Sequence, residues 1–328
     1  MNIVVSASGG GHTGRAAALG HFLRTMNGSC SENLYFVIRR GDKWTSSKVG
    51  KLGGIIEVRS IRNVNESIVK GIIRLPAAFI DAWRRLPSSI CSFVSMGASI
   101  SIPAAITAKL RGARIYNVET IVRFVKPSLT ARALRPISDV TVLHWEEQRK
   151  IHPGGIVYGP LYPPPLHEPR DDGYVLVTGG SYGFPELFRT VSELGLDRVV
   201  MQTGRIDPEP LKKRNPGWIV FRFDPEFDKW LARAHIVITH FGNTAVEAAL
   251  TYHKPVIMVY NPAWRTAAGL EDAKIFAKKI NAVFLPKPPT REELRAAIRE
   301  AENTKPPRYP NGAEKLAKEL KELCCPGL

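Results

Sequence analysis

The chain has 328 residues, 44% of them hydrophobic, with 46 Lys and Arg against 30 Asp and Glu, for a formal net charge of +16. That length predicts about two domains, each large enough for its own core, and the charge favours an anionic partner: a nucleotide sugar, a phospholipid surface or nucleic acid. Cys30, Cys91, Cys324 and Cys325 form no C-x-x-C pair, no metal-ligand spacing and no dense disulfide framework, which argues against a structural metal and for a reducing cytosol.

The chain opens on the apolar run Asn2 to Ser6, which reads as a core strand and not as a leader, and it leads into Ala7-Ser8-Gly9-Gly10-Gly11-His12-Thr13-Gly14. Tyr174 to Thr178 followed by Gly179-Gly180-Ser181-Tyr182-Gly183 repeats that opening. Glycines there let the backbone turn sharply and aim amides at an anion near a helix N-terminus. In the first half Leu34 to Ile38, Ile55 to Val58, Cys91 to Ser95, Ala113 to Val118 and Asp139 to Leu143 read as strands separated by helical patterns, so a parallel sheet with helical crossovers is expected.

Within that half, Val64 to Leu86 interleaves Ile68, Val69, Ile72, Ile73, Leu75, Ala78, Phe79, Ile80 and Trp83 with Lys70, Arg74, Arg84 and Arg85, and Pro76 interrupts it. This pattern fits the interface of an anionic bilayer, with Ile72, Ile73, Phe79 and Trp83 as the inserting side chains; an ordinary helix covering the sheet is the alternative. No segment is as long as an uninterrupted membrane span, so a soluble or peripheral protein is expected.

Prolines crowd the stretch Val157 to Asp172, where the interdomain linker is placed. The second half repeats the alternation with Arg198 to Gln202, Trp218 to Phe221, His235 to Thr239, Pro255 to Val259 and Ala282 to Leu285, then the helix Thr290 to Glu302. After Pro306-Pro307, Gly312 to Cys324 reads as a helix with Leu316, Leu320 and Leu323 on one face, a tail able to pack back across the first domain. The expected organisation is a first domain over 1–160, a linker over 161–172, a second domain over 173–305 and a tail over 306–328.

Gly9, Gly11 and Gly14 satisfy G-x-G-x-x-G, which alone is a weak sign of a dinucleotide cofactor. Such a site usually has an acidic residue ending the second strand, whereas this strand ends Ile38-Arg39-Arg40, and His12 and Arg15 occupy the loop where a pyrophosphate would lie. Two facing sheets, each with a glycine loop at its strand ends, instead make a cleft for a charged donor on one side and an acceptor on the other.

Four runs carry a more specific signal: Gly10-Gly11-His12-Thr13-Gly14, Ser95 to Pro103, Tyr116 to Arg123, and His144-Trp145-Glu146-Glu147-Gln148. In order and spacing they resemble the membrane-associated, acceptor-side subunit of the eukaryotic UDP-GlcNAc:dolichyl-diphospho-GlcNAc transferase. Val175 to Gly183, Val200 to Gly204 and Ile238 to Ala249 resemble the donor-binding subunit of the same enzyme, here on one chain. The joined arrangement is also similar to the bacterial peptidoglycan GlcNAc transferase. The resemblance implies an α/β chain of the GT-B class, two Rossmann-like domains facing a central cleft.

It further implies that Glu247 bonds the donor's ribose hydroxyls while Gly180, Ser181, Gly204, His240, Gly242, Asn243 and Thr244 surround its diphosphate. A dipole-complementing Glu at a helix start is the plainer account of Glu247, and a strand-end ring packed in its turn that of His240. The chain departs from the family where Gly269-Leu270-Glu271-Asp272-Ala273 replaces the usual sugar contact; Glu271 and Asp272 either bond sugar hydroxyls or simply begin a helix. On the acceptor side Gly10, Gly11, Thr13 and Arg123 are the implied contacts, and His12 and Glu119 the two candidates for general base. The alternatives are a His12 that orients the glycine loop and a Glu119 paired with Arg123.

The expected activity is inverting transfer of a sugar, GlcNAc from UDP-GlcNAc, to a polyprenyl (dolichyl) diphosphate-linked sugar at the cytoplasmic membrane face, in lipid-linked oligosaccharide synthesis for N-glycosylation. No metal is expected, since no Asp-x-Asp pair occurs, and no cofactor beyond the UDP-sugar substrate. A UDP-GlcNAc 2-epimerase and a non-catalytic nucleotide-sugar-binding module are the alternatives. RNA binding is set aside because no aromatic-basic recognition motif accompanies the charge.

Overall fold

The computed structural model describes residues 1–26, 33–62, 66–263 and 268–325; Cys30 and Val64 lie outside them. The chain divides into two compact units, Met1–Pro163 with Pro310–Leu328, and Pro164–Tyr309.

In the first unit the elements run β1 Asn2–Ser6, α1 Gly10–Thr25, β2 Leu34–Arg39, α2 Lys43–Val49, β3 Gly54–Val58, α3 Ile68–Arg85, β4 Ile90–Ser95, α4 Ser101–Leu110, β5 Arg114–Val118, α5 Leu129–Leu134, β6 Val140–Leu143 and β7 Ile156–Val157. The second contains β8 Val175–Thr178, α6 Pro185–Ser192, β9 Val199–Gln202, α7 Glu209–Arg214, β10 Ile219–Phe221, α8 Phe227–Arg233, β11 Ile236–His240, α9 Asn243–Val246, β12 Val256–Val259, α10 Leu270–Lys279, β13 Val283–Leu285 and α11 Arg291–Ala301. The helix α12, Gly312–Cys324, then returns to the first unit.

Both sheets are parallel. The first has seven strands in the order β3-β2-β1-β4-β5-β6-β7 and the second six in the order β10-β9-β8-β11-β12-β13. Helices cover both faces of the first sheet, which is why its central strands read as nearly continuous apolar runs. One core layer packs α1 and α12 on one face through Leu19, Leu23, Leu316 and Leu320, and another packs α3 and α4 on the opposite face through Ala82, Ala104 and Ala108. The strand order reverses between β1 and β4 and again between β8 and β11, so in each sheet the loops leaving those neighbours diverge and leave a crevice at the strand ends.

Most strands of the second sheet begin one residue later than the apolar runs suggest. Pro255, for example, has no N–H for a ladder and contributes only its carbonyl, which accepts from Val237 N at 2.9 Å just before β12.

The helix α12 is held by more than apolar contact. The hydroxyls of Tyr116 and Tyr158 both donate to the Glu319 carboxylate, at 2.8 and 2.5 Å. Gly312 donates its N–H to the Pro160 carbonyl at 2.9 Å, and a Cβ on Gly312 would stand 2.2 Å from the Gly159 oxygen, an approach only glycine permits. Cys324, not Leu323, completes the buried stripe with Leu316 and Leu320.

The cysteine expectation needs correction here: Cys91 of β4 and Cys324 of α12 are joined in a disulfide. Their separation of 233 residues hides the pairing from any reading of spacing, because only the return of α12 to the first sheet brings them together. A cross-link over so long a loop stabilises chiefly by restricting the unfolded chain, by roughly 2–4 kcal/mol. Cys91→Ser is therefore expected to lower Tm in oxidising buffer and to have little effect once the parent is also reduced; equal Tm for parent and variant in oxidising buffer would remove the cross-link.

Candidate functional site

The crevice of the first sheet is built by the loops after β1 and β4. Gly9 and Gly10 have φ of +56° and +47°, a conformation that lets the chain leave β1 and enter α1 within a few residues. The turn is pinned by Thr45, whose hydroxyl donates to Asp42 Oδ2 (2.7 Å) and accepts from Gly9 N (3.1 Å) and from the Thr13 hydroxyl (2.9 Å). Thr13 is thereby buried and tied to α2, supporting the loop.

Across the crevice, Met96 presents its carbonyl from the loop after β4. That loop turns through Gly97 (φ +97°) and Ala98 (φ +64°), a strained conformation for alanine, and is wired to β1 by Met96 N donating to Ser6 Oγ at 3.0 Å and by contact between the Ser6 and Ser101 hydroxyls at 2.7 Å. His12 Nδ1 lies 2.6 Å from the Met96 oxygen and Arg15 Nη2 3.0 Å from it. Gly97 fits beneath the imidazole, where a Cβ would come within 2.7 Å of the ring. Burial, then the positive charge of Arg15, pull the His12 pKa down to about 4, so the ring is neutral at physiological pH.

The runs Tyr116 to Arg123 and His144 to Gln148 form one hydrogen-bonded unit. His144 Nε2 donates to the Glu119 carbonyl (2.8 Å) and Trp145 Nε1 to that of Ile121 (2.8 Å). Gln148 Nε2 donates to the carbonyls of Thr120 (2.9 Å) and Arg123 (2.8 Å), while its Oε1 accepts from His144 N (2.8 Å). His144 Nδ1 in turn accepts from Leu161 N at 3.1 Å, so both ring nitrogens are used, and burial holds its pKa down at about 3. The His-Trp-x-x-Gln run is a clamp on the loop after β5.

Glu119, on that loop, is fully buried. Its Oε1 accepts from Thr120 N (2.6 Å), and its Oε2 accepts from Ser128 N (3.0 Å) and His152 Nε2 (2.7 Å). The partner is thus His152, not Arg123. Burial raises the Glu119 pKa, but the bonds from His152, Thr120 and Ser128 outweigh it and leave a carboxylate below the usual range. Such a group holds a loop more readily than it takes up a proton, whereas His12 Nε2 has no hydrogen-bond partner among the described residues.

The second sheet repeats the arrangement at β8 and β11. His240, ending β11, packs between two glycines: a Cβ on Gly180 would stand 2.6 Å from its ring and one on Gly242 2.9 Å. Burial lowers its pKa to about 4, so the packed ring is neutral. Gly204, with φ +65°, brings the loop after β9 against Gly180 and Ser181, where a Cβ would meet the Gly180 oxygen at 2.5 Å. Gly242 leads into Asn243 and Thr244 at the start of α9, and Asn243 Nδ2 donates to Glu247 Oε1 at 2.5 Å. From Glu247 to Thr251 the helix widens into a π turn, a local distortion often found at functional positions.

Two candidate sugar contacts have plainer roles. Asp272 is buried and caps α10 by accepting from Gly269 N at 3.0 Å, and Glu271 is bonded to Lys274 at 2.8 Å on the surface. Reading the sequence misses His152, 33 residues from its partner, and the stacking of the Arg205 guanidinium 4.4 Å from the Tyr182 ring centroid; neither leaves a local pattern.

On α3, Gly71, Ala78 and Ala82 face inward, while Val69, Ile72, Ile73, Ile80 and Trp83 are exposed and Phe79 is half-buried. The sheet is covered by the small residues, and the large apolar ones form a separate outward stripe beside Lys70, Arg74, Arg84 and Arg85. No helix among the described residues is long and apolar enough to cross a membrane.

Removing the Glu119 charge weakens a buried set of hydrogen bonds, a change that typically costs about 1–3 kcal/mol. Because the folded pKa is depressed, that contribution is complete above the ordinary carboxylate value of 4.5 and is lost as pH falls through the lower folded value. Urea denaturation of Glu119→Gln is expected to show its full deficit at neutral pH and a shrinking one in acid; a deficit independent of pH would contradict the carboxylate's role.

Comparison with known proteins agrees with this geometry. Residues 174–324 match the Glycosyltransferase family 28 C-terminal domain. No curated protein matches the chain by sequence. Among solved structures, Acinetobacter baumannii MurG superposes with a TM-score of 0.67 at 16% identity, covering 98% of this chain and 100% of that one. The UDP-GlcNAc 2-epimerase from Neisseria meningitidis, bound to UDP-GlcNAc, gives 0.62 at 12% identity over 100% of both chains. A ugt transferase from Siraitia grosvenorii in complex with UDP gives 0.60 at 13% identity, covering 98% of this chain and 94% of that one. The two parallel α/β sheets are those of the GT-B fold, and the second lies within the residues that match the family 28 C-terminal domain.

Proposed function

We propose that the protein is an inverting glycosyltransferase that moves GlcNAc from UDP-GlcNAc to a polyprenyl (dolichyl) diphosphate-linked sugar at the cytoplasmic face of a membrane, a step in lipid-linked oligosaccharide assembly for N-glycosylation. The observation that carries the reading is the family 28 domain over 174–324, within which Glu247 and Asn243 stand at the strand-order reversal of the second sheet. Two solved structures of the same fold that hold UDP or UDP-GlcNAc support a nucleotide-sugar donor.

In this reading Glu247 accepts the ribose hydroxyl protons, and Gly242, Asn243 and Thr244 offer amides and a hydroxyl to the diphosphate. The acceptor hydroxyl oxygen forms its bond to the anomeric carbon as the bond from that carbon to the diphosphate oxygen breaks. The hydroxyl proton passes to His12 Nε2, and UDP leaves with the electron pair. Glu119 and its clamp hold the loop beside the acceptor.

The outward stripe of α3 favours a lipid-linked acceptor over 2-epimerisation, which needs no lipid. Apolar side chains flanked by four basic ones suit an anionic interface. Purified protein with labelled UDP-GlcNAc is expected to form product only when a short-chain polyprenyl-diphosphate-GlcNAc is added. Conversion of UDP-GlcNAc alone would establish the epimerase instead, and binding without turnover a binding module.

Glu247→Ala is expected to weaken UDP binding about ten- to a hundredfold by calorimetry, the loss of a charge-assisted hydrogen bond worth roughly 1.5–3 kcal/mol. His12→Ala should lower kcat by about a hundredfold with UDP affinity unchanged. Replacing Ile72, Ile73 and Trp83 with Ser is expected to release the protein from anionic vesicles in a flotation assay without lowering Tm, since all three are already exposed. Retained flotation would exclude this face.

A further inference from the structure

Arg15 is 3% exposed, makes no ion pair, and leaves its Nε without a hydrogen-bond partner. Burying a guanidinium with no carboxylate in direct contact, only the more distant charge of Glu119, is costly, and a well-packed fold rarely keeps one without a use. Its Nη2 donates to the Met96 carbonyl at 3.0 Å and lies 2.9 Å from His12 Nδ1, which is itself 2.6 Å from the same oxygen. Two lone pairs do not approach to 2.6 Å, so Nδ1 carries hydrogen and donates to Met96. Arg15 then stands beside an N–H and not an acceptor, and the bare nitrogen is Nε2.

The geometry points to Arg15 as a positioning residue that keeps His12 neutral, while the Met96 carbonyl holds the ring hydrogen on Nδ1 and leaves Nε2 free to accept a proton. The inference rests on the reading of His12 as the base of the transfer reaction. A second proton on the imidazole would place two cations side by side in a buried setting, so the ring stays ready as an acceptor. The charged groups acting on His12 are Arg15 from α1, which opposes its protonation, and Glu119 from the loop after β5, which favours it; the Met96-Gly97 segment is uncharged. Arg15 likewise opposes protonation of His144. Gly97 beneath the ring leaves the room that this placement of the imidazole needs.

The lock is tested on the full chain labelled with ¹⁵N-histidine, His12→Gln providing the assignment. In the parent, His12 is expected to show a protonated Nδ1 and a bare Nε2 and to remain neutral well into acid. In Arg15→Met its titration moves up toward the ordinary imidazole value of about 6.5, stopping short because burial persists, while Nδ1 stays protonated against the Met96 carbonyl. Arg15→Lys, which keeps a charge there, restores the low titration. If Arg15→Met does not fold, Arg15→Gln takes its place.

The acid limb of kcat/KM should move with the titration in each variant. A proton on Nε2 in the parent, or a variant that loses transfer while titration and acid limb stay put, would overturn the lock and reduce Arg15 to a structural residue. If the spectra behave as expected but His12→Gln transfers sugar at the parental rate, the lock stands and the assignment of His12 as base falls.

Discussion

Parallel pairing of β1 with β4, and of β8 with β11, is the constraint from which the rest of the site follows. At those pairs the crossovers part to opposite sides, so two loops meet at the strand ends with no strand to pair their backbone groups. Each unit closes the gap in the same physical way, with an imidazole seated against glycine. His12 spans from the β1 loop to Gly97, and His240 from β11 to Gly180. Any side chain on those glycines would push the loops apart, which gives the glycines a packing role beyond turning the chain.

Around the first crevice the polar groups are buried but nearly all satisfied. The Gln148 amide serves two carbonyls and two N–H groups, and Glu119 takes three donors. Such networks are rigid because releasing one member leaves others unpaired in a low-dielectric setting. Arg15 Nε and Asn117 Oδ1 are exceptions, and Arg15 borders an imidazole whose Nε2 is bare. Rigidity and these imbalances lie side by side, as expected where a fold trades stability for a reactive group.

The amino-acid sequence announces the strands and their glycine loops plainly, since both rest on local chemistry: apolar runs for strands buried on two faces, and glycine where φ turns positive. Thr13 beside Thr45, Glu119 beside His152 and Cys91 beside Cys324 are invisible there because each pair is made by the sheet order and not by neighbours along the chain. The segment at α3 falls between these cases. Its apolar and basic residues are legible, but two faces of the helix compete for the core, and only the packing of Gly71, Ala78 and Ala82 decides that the small residues win.

The return of α12 also sets an order of events during synthesis. The second unit, Pro164–Tyr309, is inserted within the first, so the ribosome finishes it before the first is complete. Until α12 emerges, Leu19 and Leu23 of α1 lack the cover of Leu316 and Leu320, and Tyr116 and Tyr158 lack Glu319. The half of the molecule made first is therefore the last to close, and the nascent chain carries an open apolar seam through most of its translation.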